Sequence, residues 1–503
     1  MTANQTPFPL RSDSAPGLTR IREFLRVAGF DSVTLCRVLR MENMSDLGRV
    51  DWGRVDPAAL SPAGYWALRV FARGLPTPVA TAREICGDEV LAALLASALL
   101  RPSRQDPACL VCPVWLYPLA GFVVASDRVD DPDGEPFTPP VDVVFPAIYS
   151  GTLRFLSLLP AAGGGDALDL CGGSGIGALV LAGTARESAT ADLTERSARF
   201  ADFNARLNQL PVASWCGDLY EPARGRQFDL ITAHPPFVPA LGPNMVYRDG
   251  GESGEEVVRG VVAGLPEFLR PGGTCVILCV ARDTGQQTFE QRARDWLGVH
   301  AGEFDVIYGL EKILSVRDVI ASLQKKGREV GPAEVQQLVD RFQSLDTRQF
   351  VYGALFLRRY PGETVPPPAR FRITSQATAH EFERLLHWRR QTFQPGFLDW
   401  LAHARPRLSP HLQLTVRHVV EAGSLVPAEF TFEINAGVQA ALRPDAWVVP
   451  LLARLEGQLT VAEIYGAAQA ADELPANFQL ANFIGLVQTM IERGFLEIDL
   501  PPN

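Results

Sequence analysis

The sequence predicts an α/β fold: a doubly wound sheet with smaller modules on either side. Three observations carry this. Ala167 to Leu181 (ALDLCGGSGIGALVL) is an apolar strand that runs through a glycine turn into a helix. From Gly165 to Tyr360, apolar strand-like runs alternate with helical stretches, the pattern of a sheet covered by helices on both faces. Two polar, proline-rich breaks, Asp130 to Pro140 (DDPDGEPFTPP) and Pro361 to Pro368 (PGETVPPP), set this region off from its flanks.

In the glycine turn, Asp169 closes the apolar run and Gly172, Gly173, Gly175 and Gly177 follow. Glycines at this density let the backbone bend sharply and lie close to a ligand, because no Cβ intervenes. Such a turn alone fits several nucleotide-type cofactors.

Composition narrows the classes. A chain of 503 residues exceeds one ordinary core, so several domains are expected. Its 47% hydrophobic and 21% charged content is that of a globular protein. A net charge of −10 argues against a surface coated in basic residues for nonspecific nucleic-acid binding. The first twenty residues hold no apolar core of signal-peptide length, and the apolar run Val90 to Leu100 is too short to span a bilayer. A soluble, cytoplasmic chain without a membrane partner is the expectation. Cys109 and Cys112 lie in CLVCPVWLYPL, and Cys275 and Cys279 in CVILC; these apolar runs mark them as small buried hydrophobes, and no metal site is expected.

Ahead of the first break, Ser61-Pro62 supplies an N-cap and first turn for a helix around Tyr65 to Arg73. Glu84 to Leu100 repeats apolar residues at helical spacing, and a β-rich stretch follows. This order fits a winged-helix-like module over residues 1–130. Few lysines or arginines fall on its second helix, so a structural or substrate-docking role is expected of it. Between the breaks, strands are expected at Ala167–Leu170, Ser188–Ala191, Ala213–Cys216, Phe228–Thr232, Thr274–Val280, Phe304–Tyr308 and Phe350–Arg358. A charged helical insertion, 311–346, precedes the last of them and is either a solvated cover or a lid. The region 369–503 ends in helices at Val448–Leu455, Val461–Ala471 and Phe478–Ile491, stopped by Gly494. That ending is similar to small winged-helix modules attached to peptide-modifying enzymes.

Three more stations follow the glycine turn. Asp192 ends the second strand, placed to accept hydrogen bonds from ribose hydroxyls. Asp218 follows the third strand, and His234-Pro235-Pro236-Phe237 the fourth; Arg270-Pro271-Gly272-Gly273 then opens the fifth. The series DLCGGSG, ATADLTERSARFADFNARLNQL, GDLYEP, FDLITAHPPF and FLRPGG resembles the class I S-adenosylmethionine-dependent methyltransferases. More narrowly, it resembles the small-domain branch that holds the release-factor glutamine and ribosomal RNA guanine-N2 methyltransferases. The likeness covers about residues 140–360.

The resemblance implies a seven-stranded Rossmann-like methyltransferase sheet, flanked by winged-helix-like N- and C-terminal modules. It implies S-adenosyl-L-methionine as cofactor, with Asp169, Gly173 and Gly175 shaping its cleft, Asp192 on the ribose and Asp218 on the adenine. It also implies that His234, Pro235, Pro236 and Phe237 form the catalytic loop. Two departures stand out: Cys171 replaces a usual glycine, and His234 replaces the usual Asn or Asp.

The departure at 234 bears on mechanism. In the usual loop a side-chain oxygen and a backbone carbonyl accept both N–H hydrogens of an amide or amine, leaving its lone pair aimed at the methyl group. A neutral imidazole offers one acceptor nitrogen, or acts as a base near its ordinary pKa. Phe237 is placed to stack on a planar acceptor. Tyr247 and Arg248, in a glycine-rich loop just beyond, either contact substrate or brace the next helix. A peptide or protein nitrogen is the expected acceptor. A small molecule is the alternative, an RNA acceptor is less favoured, and homo-oligomers stay open.

Overall fold

The structure, a computed structural model, describes residues 7–501 apart from 240–244, 326–330 and 363. Among them a mixed sheet dominates. All seven expected strands form: β3 (Asp166–Leu170), β4 (Glu187–Asp192), β5 (Val212–Cys216), β6 (Phe228–Ala233), β7 (Leu269–Thr284), β8 (Phe304–Leu314) and β9 (Thr347–Arg359). They lie in the order β5-β4-β3-β6-β7-β9-β8. β3 pairs in parallel with both β4 and β6, and all five of its residues are buried, as befits a strand covered on both faces. β9 alone of these runs antiparallel, against both β7 and β8.

The expected strand count needs correction. The sheet has eleven strands, because β10 (Ala369–Ile373) pairs in parallel with β8, and β13 (Val438–Leu442), β12 (Ser424–Ala436) and β11 (Gln413–Glu421) continue it outward. The sheet thus runs on past the second proline-rich break. These added strands are mostly exposed, and their apolar residues alternate with polar ones or stand at the surface rather than forming one buried run.

The N-terminal part builds α1 (Ala15–Val27), α2 (Ser32–Leu39), α3 (Pro62–Ala67) and α4 (Val79–Ala96). Ser61 caps α3 by accepting the Gly64 N–H, as its sequence position requires. Gly87, at φ 75°, breaks α4 into two segments. A three-stranded sheet of very short strands, one just before α4 and two after it, comes next, then the hairpin β1 (Trp115–Leu119) and β2 (Phe122–Ser126). This part is not a loose appendage. Its core is continuous with Ile176, Leu179, Phe200, Phe203 and Leu207 on α6 (Ile176–Leu181) and α7 (Glu195–Leu207). Two amides, one on α7 and one at its C-cap, read the β2 backbone: Asn204 accepts the Ala125 N–H at 2.7 Å and donates to its carbonyl at 2.9 Å, and Asn208 does the same at Val123, at 3.0 and 2.8 Å. Arg196 donates to the buried Asp127 beside them (Nε to Oδ2, 2.7 Å).

On the other side, α5 (Ser150–Ser157) is fixed by Arg154, which is buried and donates to Glu311 and to the carbonyls of Thr374 and Ala377. The expected insertion starts later than Glu311, because β8 continues to Leu314. Its helices are α8 (Val316–Lys325) and α9 (Pro332–Ser344), and Leu338 and Phe342 close on Ile320 and Phe350.

Candidate active site

The glycine turn, Asp192, Asp218 and the His234 loop gather at the C-terminal ends of β3, β4, β5 and β6, where the chain reverses its direction of travel through the sheet. Open α/β sheets hold ligands at such a point. Arg270 lies at the opposite end, paired with Asp166 and Asp229.

The glycine turn is built around Asp169. That side chain is 1% exposed and accepts a hydrogen bond from Thr232 Oγ1 at 2.9 Å. A Cβ on Gly177 would overlap its carboxylate, and one on Gly172 would overlap Thr190 Oγ1. Burial pushes the Asp169 pKa up to about 7, with the Thr232 hydroxyl pulling the other way. Gly173, at φ 54°, has nothing within 4 Å of where a Cβ would stand, so its side of the turn is open. Cys171 occupies φ 56°, a left-handed conformation that costs a branched or bulky side chain more than this small one.

Asp192 holds the turn from the neighbouring strand. Its Oδ2 accepts the Gly173 N–H at 2.9 Å and its Oδ1 the Thr194 N–H at 3.2 Å, while burial raises its pKa. The Asp192 carbonyl accepts the Gly217 N–H at 2.9 Å, which joins the end of β4 to the segment carrying the exposed Asp218.

His234 is the first residue beyond β6. It is half-buried, with its ring stacked on Phe155 of α5 (centroids 5.4 Å apart, planes 23° apart) and tilted against Phe237 at 6.3 Å. Gly151 comes close enough that a Cβ there would meet His234 Cε1 at 3.5 Å. Burial pushes the imidazole pKa down to about 4. The ring is therefore neutral at working pH, and the expectation of a base titrating there does not hold.

The glycine-rich loop lies directly under the Pro-Pro-Phe segment. Val238 N–H donates to the Arg248 carbonyl at 3.0 Å, and Gly250 N–H to the Val238 carbonyl at 2.8 Å. A Cβ on Gly250 would lie 2.6 Å from the Pro236 carbonyl oxygen, and one on Gly254 2.6 Å from that of Phe237. Bracing is thus a structural role of this loop. Tyr247 nonetheless faces outward in a stack with Phe145 (4.8 Å) and Tyr149 (4.4 Å from Phe145), each ring 37–41% exposed. Arg248 donates from Nε to Asp249 at 2.8 Å, so its charge is already matched. Behind the loop, Glu255, 3% exposed, accepts the Arg282 backbone N–H at 2.7 Å and pairs with the guanidiniums of Arg282 (2.7 Å) and Arg292 (2.5 Å).

Sequence reasoning missed Phe155, Gly151, Tyr149 and Phe145, which precede the glycine turn, and Glu255, which follows it. Aromatic residues clustered just ahead of the cofactor strand were the available signal; nothing flagged Glu255.

The family model described as methyltransferase small domain matches residues 146–300. The release factor glutamine methyltransferase of Xylella fastidiosa is 34% identical over 122 residues, which is 21% of this chain and 44% of that protein. The ribosomal protein uL3 glutamine methyltransferase of Bradyrhizobium diazoefficiens is 30% identical over 208 residues, 35% of this chain and 63% of its own length. A SAM-dependent methyltransferase structure from Agrobacterium tumefaciens is 16% identical with a TM-score of 0.27, covering 50% of this chain and 70% of that one. The chain spans less than two thirds of the length of either curated relative. The glycine turn, Asp192, Asp218 and the His234 loop all lie within the residues, 146–300, that match the methyltransferase small-domain model.

Proposed function

We propose that this chain is an S-adenosyl-L-methionine-dependent methyltransferase that acts on a nitrogen of a protein or peptide. The observation that carries the reading is the pairing of an open, carboxylate-held glycine turn with a neutral imidazole at the end of the adjoining strand. The residues fit the cofactor. Gly173 leaves room against its backbone, and the carboxylates of Asp192 and Asp218 stand at the ends of successive strands to accept from ribose hydroxyls and an adenine amino group. Asp169, with Gly175 behind it, keeps the turn in shape. When bound, the cofactor supplies an electrophilic methyl group on a sulfonium.

The chain's own residues orient the acceptor. Phe237 offers a ring face to a planar group. The neutral His234 accepts one N–H hydrogen, a backbone carbonyl of the Pro235-Pro236 segment accepts the other, and the lone pair is left in line for transfer. The stacked Tyr247, and Arg248 beside it, lie at the rim where flanking acceptor residues pass. The regions 1–130 and 369–503 are read as winged-helix-like docking modules on a 140–360 catalytic unit. For the first, the helix, short strand, kinked helix and paired strands of 62–111 support this. The expected compartment is the cytoplasm; among the described residues no helix is long and apolar enough to cross a membrane.

Titration calorimetry with S-adenosylmethionine and S-adenosylhomocysteine tests the cofactor; no heat from folded protein ends the proposal. Transfer of labelled methyl to a release factor and to ribosomal protein uL3, the acceptors in the relatives' names, tests the substrate class. Labelling of neither, beside labelling of a small-molecule pool, favours the alternative.

A further inference from the structure

The outermost hairpin, β11–β12, turns through Ala422 and Gly423, both at positive φ (48° and 82°), the two-residue turn that matches strand twist. Its distal half stands clear of the body. Val420 and Leu425 are 73% and 72% exposed, and nearly every residue of β11 is at the surface. A bare two-stranded ribbon is marginal in water. β11 is also the last strand of the sheet, so its outer backbone edge is unpaired. Edges in natural proteins are guarded by charged side chains, by proline or by a bulge. β11 (QLTVRHVVE) has no proline or lysine, its two charges, Arg417 and Glu421, are of opposite sign and so match a second copy of themselves, and the irregularity opposite Arg417 and His418 places its extra residue, Ala428, on β12.

The geometry points to a second copy of this chain as the occupant of that edge, joined antiparallel about a two-fold axis at Val419. In this register Arg417 of each copy faces Glu421 of the other, and His418 faces Val420. Arg417 already donates to Glu429 on β12 (3.0 and 2.6 Å), so each guanidinium would sit between two carboxylates. Moving the axis to Arg417 sets two guanidiniums opposite each other, which is unfavourable. The axis near the tip also keeps the bodies apart. Gln413, at the base of β11, lies about 20 Å from it at the strand rise of ~3.4 Å per residue. The overlap is short, so the dimer forms and dissociates with concentration.

Sedimentation velocity on the full chain, from low to high micromolar, is expected to show a monomer–dimer equilibrium. Val419→Lys sets two ammonium groups on the axis and is expected to leave monomer throughout, with a melting curve little changed because Val419 is only partly buried, on a hairpin that stands clear of the body. Val419→Cys is expected to give a disulfide-linked dimer on mild oxidation, under conditions where oxidised wild type, whose Cys216 is exposed, gives none. The inference is overturned by wild type that stays monomeric at the highest concentration, by a dimer that Val419→Lys leaves intact, or by a dimer that Val419→Cys does not link.

Discussion

The imidazole of His234 lies against the ring of Phe155, 5.4 Å between centroids, so the helix before the glycine turn and the loop after β6 meet through two flat faces. Burial at this contact keeps the ring neutral. Methyl transfer in single turnover is therefore expected to show no inflection near the ordinary histidine pKa of ~6.5. His234→Ala is expected to slow the step by about tenfold or more, with S-adenosylmethionine affinity unchanged. Asn at this position restores a hydrogen-bond acceptor and should recover part of the loss. Equal rates for wild type and His234→Ala exclude the assigned role.

Asp169 and His234 bend the stability curve in opposite directions. The folded pKa of His234, about 4, is below its unfolded value, so its share of stability is present above pH ~6.5 and lost as pH falls toward 4. The folded pKa of Asp169, about 7, is above its unfolded value, so its share is present below pH ~3.9 and lost as pH rises toward 7. Replacing one group unmasks the other. Denaturant midpoints for His234→Phe should fall with rising pH across this window, and those for Asp169→Asn should rise.

Asp192, proposed to hold the ribose, also holds the turn, because its Oδ2 accepts the Gly173 N–H. Asp192→Ala is expected to weaken S-adenosylmethionine binding by more than tenfold, or ~1.4 kcal/mol, in calorimetry. Asp192→Asn keeps one acceptor and should lose less.

A methyl group at 177 has nowhere to go, since the Asp169 carboxylate fills that space. Gly177→Ala should cost about 1–3 kcal/mol of stability. Gly173→Ala meets open space in the free protein. Its damage should appear chiefly as lost cofactor affinity, beyond a backbone cost for φ 54° of about 1 kcal/mol. Thermal melts with and without cofactor separate the two.

The buried Asp127–Arg196 pair joins the N-terminal hairpin to α7. Asp127→Ala removes the carboxylate from a guanidinium that is 7% exposed and should cost about 3–5 kcal/mol. Hydrogen exchange over Phe122–Ser126 and Ala15–Val27 should accelerate before exchange over Asp166–Leu170.

What the sequence made legible follows from pattern strength. The buried strands β3, β6 and β7 are apolar runs between glycine or proline breaks, and each was placed within a few residues. Asp169, Asp192 and His234 end such runs and came with them. The outer strands β11 and β12 were missed although β12 alternates Phe430, Phe432 and Ile434, because most of their residues face solvent and the apolar ones do not form one unbroken run. The depressed basicity of His234 was also out of reach: it depends on Phe155 and Gly151, about eighty residues upstream, and only the fold brings them against the ring. The same holds for Glu255, whose arginine partners lie on another strand and helix.

One amide has a wider reach than its size suggests. Asn204 is fully buried, and while it bonds the backbone of Ala125 it also donates to the carbonyl of Ser174, inside the glycine turn, at 2.9 Å. The ligand cradle and the N-terminal hairpin therefore share a single hydrogen-bonding side chain. Two equilibria that share a side chain are coupled reciprocally. Occupancy of the cradle should slow the opening of the hairpin, and whatever grips the N-terminal module from outside should change, by the same factor, how tightly the cradle holds its ligand.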